Sequence, residues 1–136
     1  MWQNYKVGQF RTIIVPIDLK VAIEEFCNLH GYQQTDVFDI AVRKFSKLWN
    51  AENIEGYEEA GDILIDNPPP KSKQYVPLHV RFSEKSAYEI ACEAERFAFV
   101  RSTTDFVKRV LSWYLRKVGI LEEIKPRRLI KIPRRE

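Results

Sequence analysis

Six cations crowd the end of this chain, Lys125, Arg127, Arg128, Lys131, Arg134 and Arg135, interleaved with Leu129, Ile130 and Ile132. Guanidinium and ammonium groups at that density neutralise phosphate, so the run reads as a contact for an anionic surface, nucleic acid above all. Earlier, Leu78, Val80 and Phe82 alternate with Pro77, His79 and Arg81, which puts an imidazole and a guanidinium together on the polar side of a strand. Catalytic constellations do not form. Glu24/Glu25 and Glu122/Glu123 suit solvated helix or turn faces, and no glycine-rich phosphate loop, HExxH or GxSxG occurs. Cys27 and Cys92 sit in amphipathic patterns without a CxxC or a Cys/His cluster, as reduced packing residues do. The chemistry expected is therefore binding: no enzyme, no metal and no cofactor.

The charge is unevenly placed. The formal net charge is +3, but residues 1–70 carry six bases against eleven acids, and residues 71–136 carry sixteen bases against eight acids. An anionic partner engaged mainly through the second half is the simplest use of such a split. No apolar run is long enough for a membrane span, and the N-terminus lacks the charged head and apolar stretch of a signal peptide. A cytoplasmic protein without a membrane partner is expected.

The elements that must position these residues follow one order twice. Arg11-Thr12-Ile13-Ile14-Val15 reads as a strand stopped by Pro16, which also suits the first turn of a helix. Helix one spans Ile17 to His30, with Leu19, Ile23, Phe26 and Cys27 on one stripe and Gly31 as its stop. Gln34-Thr35-Asp36 offers the cap of a second helix carrying Val37, Phe38, Ala41, Val42, Phe45, Leu48 and Trp49. Residues 50–74 are acidic up to Pro70 and carry Pro68-Pro69-Pro70, the composition of a linker in which the triple proline is extended and Ile63-Leu64-Ile65 can pack locally. The order then returns. A strand from Tyr75 to Phe82 is followed by a helix capped by Ser83 with Ser86, Ala87, Ile90, Ala91 and Ala94 inward. The last helix is capped by Thr103 or Thr104, carries Phe106, Val107, Val110, Leu111, Tyr114, Leu115 and Val118, and stops at Gly119. Trp49 and Trp113 are expected to pack rather than to stack on bases.

Superposed, Val15-Pro16-Ile17-Asp18-Leu19 matches Phe82-Ser83-Glu84-Lys85-Ser86, and Gln34-Thr35-Asp36-Val37-Phe38 matches Thr103-Thr104-Asp105-Phe106-Val107. Each copy resembles the ribbon-helix-helix repressors of the Arc and MetJ type, and the chain resembles a fused, tandem member of that superfamily. The resemblance implies a mostly α fold with a short antiparallel β ribbon. It divides the chain into an N-terminal arm and first motif (1–49), an acidic linker (50–74), a second motif (75–119) and a basic tail (120–136). In that family the ribbon enters the DNA major groove and its outward residues read base edges. The implied base contacts are Arg81, His79, Thr12 and Ile14, with Arg81 the strongest reader because a guanidinium can donate two hydrogen bonds to guanine. The family also holds phosphate at the start of each second helix. Here that implies Gln34 and Thr35 in the first motif and Ser102, Thr103 and Thr104 in the second, with Arg127, Arg128, Lys131, Arg134 and Arg135 as further phosphate contacts from the tail.

One departure matters for register. Arg11 falls where an inward apolar residue belongs, and a slip by one residue would turn Arg11 and Ile13 outward. The partner expected is double-stranded DNA and the role a transcriptional regulator or repressor. The alternatives are an accessory or architectural factor of plasmid transfer or partition, or a protein-interaction adaptor on the same fold. A homodimer, and a protein partner through the linker or tail, stay open, as does whether the two motifs pair within one chain or between two.

Overall fold

The computed structural model describes residues 11–48, 54–92, 100 and 102–122, leaving side chains 54–57 and 86 aside. Two strands, β1 (Arg11–Pro16) and β2 (Tyr75–Val80), form an antiparallel ribbon within the chain. After β1 come α1 (Ile17–His30), α2 (Gln34–Ser46) and α3 (Ile54–Asp66); after β2 come α4 (Lys85–Cys92) and α5 (Thr103–Lys117). The fold is thus mostly α with a two-stranded ribbon, and each strand is followed by helices. No helix among the described residues is long and apolar enough to cross a membrane.

Register follows from burial. Ile13 and Val15 lie in the core at 4 % and 0 % exposure while Ile14 stands 53 % exposed, so the slip that would turn Arg11 and Ile13 outward does not occur. Moving by one residue would exchange those faces and give up the burial of two β-branched side chains. The pairs run Arg11 with Val80, Thr12 with His79, Ile13 with Leu78 and Ile14 with Pro77. The Ile17 N–H donates to the Gln74 carbonyl at 3.0 Å, which makes 17–74 a hydrogen-bonded pair, and alternation makes 14–77 a non-hydrogen-bonded one. Pro77 therefore occupies a site where the missing N–H costs no ladder bond. Strand β1 includes Pro16 rather than stopping before it, and β2 ends at Val80 rather than Phe82.

The core is one cluster with contributions from every element, and α5 packs against α1, α2, α3 and α4. Phe45 stacks edge-on against Phe106 at 5.5 Å and Trp113 at 5.9 Å, and Phe26 meets Tyr114 at 5.6 Å. Trp113 packs in the core as expected, whereas Val118 is exposed. Cys27 is a buried free thiol whose pKa is pushed up, first by burial and then by Asp36 and Glu24, so it stays protonated and packs as a small apolar group.

Three local expectations change. Helix α4 begins at Lys85, and Ser83 is not its cap: its N–H and hydroxyl both donate to Asp39 of α2, and the Glu84 N–H donates to the same carboxylate at 3.4 Å. Helix α5 is capped by Ser102, whose hydroxyl accepts from the Asp105 N–H at 3.1 Å, not by Thr103 or Thr104. The acidic connection, read as a linker, contains α3, whose Ala60 and Leu64 are fully buried, so its packing reaches beyond the Ile63-Leu64-Ile65 triplet to a whole helix. Its C-terminal end is held by α5: Arg109 donates to the Leu64 carbonyl at 2.7 Å and Arg116 to the Pro68 carbonyl at 2.7 Å.

Gly31 ends α1 at φ 69°, with nothing within 4 Å of where a Cβ would stand. Gly31→Ala is therefore a test of backbone strain alone. A loss of about 1 kcal/mol is expected in urea unfolding, from forcing an L side chain into the left-handed region. No change in the midpoint would show that the helix ends elsewhere in solution.

Candidate nucleic-acid interface

Thr12 and His79 are the centre of the ribbon. They lie 67 residues apart, the same spacing that superposes Val15 on Phe82, and they are also paired with each other. A pair that is both equivalent and opposite can occur only on a two-fold axis, so the pseudo-dyad of the two copies passes between them. Both side chains are exposed, and as a non-hydrogen-bonded pair they are close enough for Thr12 Oγ1 and His79 Nδ1 to hydrogen-bond at 2.8 Å.

Around this pair the outward face is largely apolar: Ile14 is 53 % exposed, Tyr75 is 56 % exposed, and the exposed Pro77 stands opposite Ile14 and two residues from Tyr75 on β2. The pseudo-dyad carries Ile14 onto Arg81. Arg81 lies one residue past β2, and its guanidinium turns along the molecule to the start of α2, where Nη2 donates to Thr35 Oγ1 at 3.4 Å. That length is at the outer limit of a hydrogen bond, so the contact is weak and exchangeable. Arg81 thus joins the ribbon edge to the first turn of α2.

The two second helices begin at equivalent places. Gln33 and Ser102, the N-cap residues of α2 and α5, are 69 positions apart, and so are Gln34 and Thr103, Thr35 and Thr104, and Asp36 and Asp105. Gln34, Thr35, Ser102 and Thr104 are half-buried at the helix starts. Thr103 is buried at 2 % exposure, side chain and backbone together, so it does not open onto the surface at the α5 start. Each helix also carries an acid in its first turn, which opposes an approaching anion. Both acids are engaged within the fold: Asp36 accepts from the Gln33 N–H at 2.9 Å, and Asp105 pairs with Arg109 at 3.3 Å.

Of the expected contacts, the structure brings Thr12, Ile14 and His79 together on the outward ribbon face and sets Arg81 beside Thr35. Arg127, Arg128, Lys131, Arg134 and Arg135 lie outside the described residues. Asp39 is the residue that sequence reasoning passed over. It is 2 % exposed within the apolar stripe of α2, and a lone carboxylate among Val37, Phe38, Ala41 and Val42 is a usable signal, because a buried charge must have donors. Here those donors come from the loop entering α4, so one motif's second helix fastens the other motif's first.

No protein-family model, no curated protein and no solved structure matches the chain.

Proposed function

We propose that this chain is a sequence-specific double-stranded DNA-binding protein, a transcriptional regulator or repressor built as a tandem ribbon-helix-helix, and that it is not an enzyme. The observation that supports this reading is the intrachain ribbon centred on Thr12 and His79 with an equivalent helix start on each side. A two-stranded ribbon fits the width of the major groove, and helix N-termini flanking it suit the adjoining phosphates. In the complex, Thr12 and His79 address the central base pairs, Ile14 offers apolar contact on one side, and Arg81 exchanges its weak bond to Thr35 for the acceptors of a guanine. Thr35, Gln34, Ser102 and Thr104 take phosphates, and the basic tail adds Arg127, Arg128, Lys131, Arg134 and Arg135.

Because the copies are fused and Ile14 stands where Arg81 does in the other motif, the two halves of the site are unlike. The target is therefore non-palindromic.

Selection from random and genomic duplex pools at two salt concentrations tests the reading. An enriched asymmetric motif is expected, with log affinity falling by about 0.9 per neutralised phosphate for each decade of salt. Arg81→Ala should relax preference at one flank of the motif, at about 1–3 kcal/mol of discrimination, while Arg127→Ala weakens all sequences alike. If Arg81→Ala lowered affinity equally on every sequence, its role would be phosphate binding rather than base reading. A steep salt slope without enrichment would assign an architectural role. The apolar face of Ile14, Tyr75 and Pro77 favours a second reading, a protein adaptor, and absence of duplex binding at low salt would select it.

A further inference from the structure

Helix α2 has a second face, at the edge of the core where Ile40 packs, that the DNA reading does not use. Ile40, Arg43, Lys44 and Lys47 recur at i, i+3, i+4 and i+7 and line a pocket of about 200 Å³. Arg43, Lys44 and Lys47 are exposed, and Ile40 is half-buried, so among the described residues the pocket has an apolar wall within a cationic rim. The Arg43 ion pair with Glu84, at 3.4 Å, has both side chains about half exposed and is readily exchanged.

Helix α3 carries the complement. Its inner face buries Ala60 and Leu64, while Glu58, Glu59, Asp62 and Asp66 are exposed around Ile65, itself 52 % exposed. Glu58 and Asp62, and Asp62 and Asp66, are like-charged pairs at i, i+4, and Asp66 puts a negative charge at the C-terminal end of the helix. Both features destabilise an isolated helix, each by a few tenths of a kcal/mol. An opposing cationic surface removes that cost. One face is an isoleucine ringed by bases, the other an isoleucine ringed by acids.

We propose that the α3 face of one chain docks on the α2 face of a second copy of this chain, with Ile65 entering the pocket beside Ile40 and Glu58, Asp62 and Asp66 meeting Arg43, Lys44 and Lys47. This contact does not depend on the DNA reading. The exposed charges make it salt-sensitive, because their attraction is screened over about 10 Å at 0.1 M salt.

Sedimentation of the full chain without DNA tests it. At low salt the mass should rise above that of a single chain as concentration increases, and it should return to one chain at high salt. Lys44→Glu/Lys47→Glu, and separately Glu58→Lys/Asp62→Lys, should each weaken association at least ten-fold, since each sets like charges against each other. An equimolar mixture of the two variants should restore it, because the reversed α2 then faces the reversed α3. The neutral Lys44→Gln/Lys47→Gln variant should be intermediate, and unchanged circular dichroism shows that all of them fold. A single-chain mass at every salt and concentration would overturn the proposal, as would failure of the mixture to reassociate. Weakened duplex binding by Lys44→Glu/Lys47→Glu with unchanged sedimentation would also overturn it, by assigning the pocket to a nucleic-acid phosphate.

Discussion

Asp39→Ala should destabilise the chain by about 3 kcal/mol, a large part of the 5–15 kcal/mol typical of a domain. The carboxylate accepts from the Ser83 N–H, the Ser83 hydroxyl and the Glu84 N–H, and Asp39 itself is 2 % exposed. Removing it strands donors at the entry to α4, which no other side chain among the described residues caps. The expected readout is a lower urea midpoint with unchanged slope, since the same surface is still buried. Asp39→Asn keeps one acceptor oxygen and should lose about half as much. Ser83→Ala removes one donor and should cost about 1 kcal/mol. If Asp39→Ala unfolded at the wild-type midpoint, the cross-motif cap would not exist in solution. A functional effect follows from the structural one: loosening α4 from α2 disturbs residues 81–84, and with them the placement of Arg81.

Arg116→Ala should cost about 2–4 kcal/mol and release the end of α3. Arg116 is 6 % exposed, and its guanidinium donates to the Asn67 side-chain oxygen and to the carbonyls of Pro68 and Glu122, at 3.2, 2.7 and 3.3 Å. None of these acceptors is ionised. Burial lowers the guanidinium pKa from its ordinary value, but a guanidinium stays protonated at any working pH, so the charge is retained at a desolvation cost that the three bonds offset. Arg116→Met removes that cost together with the bonds and should be the milder change. Hydrogen exchange gives the specific readout: amides at the end of α3 should lose protection in Arg116→Ala ahead of those in α1 and α2. Equal loss of protection throughout would mean that Arg116 supports the whole core rather than this helix end.

Local chemistry made much of the fold legible. The bounds of α1 follow from the spacing of Leu19, Ile23, Phe26 and Cys27 and from one left-handed glycine, and they agree with the sequence-based expectation at both ends. The alternation of Thr12, Ile13, Ile14 and Val15 is likewise a matter of neighbours, so the outward pair was readable once a strand was assumed. The repeat itself, strand then two helices, needed only periodicity and order. The helix starts were less legible. Gln33 and Ser102 each cap one residue before the expected segment or cap, because which residue keeps extended backbone depends on the chain entering the helix.

What tertiary structure alone decided is the set of contacts between residues far apart in the chain. Pairing of β1 with β2 inside one molecule, and with it the pseudo-dyad through Thr12 and His79, depends on where residues 50–74 lead the chain. The acidic segment becomes α3 because Ala60 and Leu64 find an apolar surface on α5 and Arg109 takes a terminal carbonyl. The composition of residues 50–70, with two glycines, many like charges and no base, favours solvated chain. Arg81 reads as a residue in a strand, yet β2 ends before it and Thr35, 46 positions away, draws its guanidinium aside. Asp39 and Arg116 are charged residues on otherwise apolar helix faces, and partners 44 to 49 positions away, joined for Arg116 by the nearby Glu122 carbonyl, make their burial possible. Periodicity reports which face of an element is buried; what that face meets is set by the packing of the whole chain.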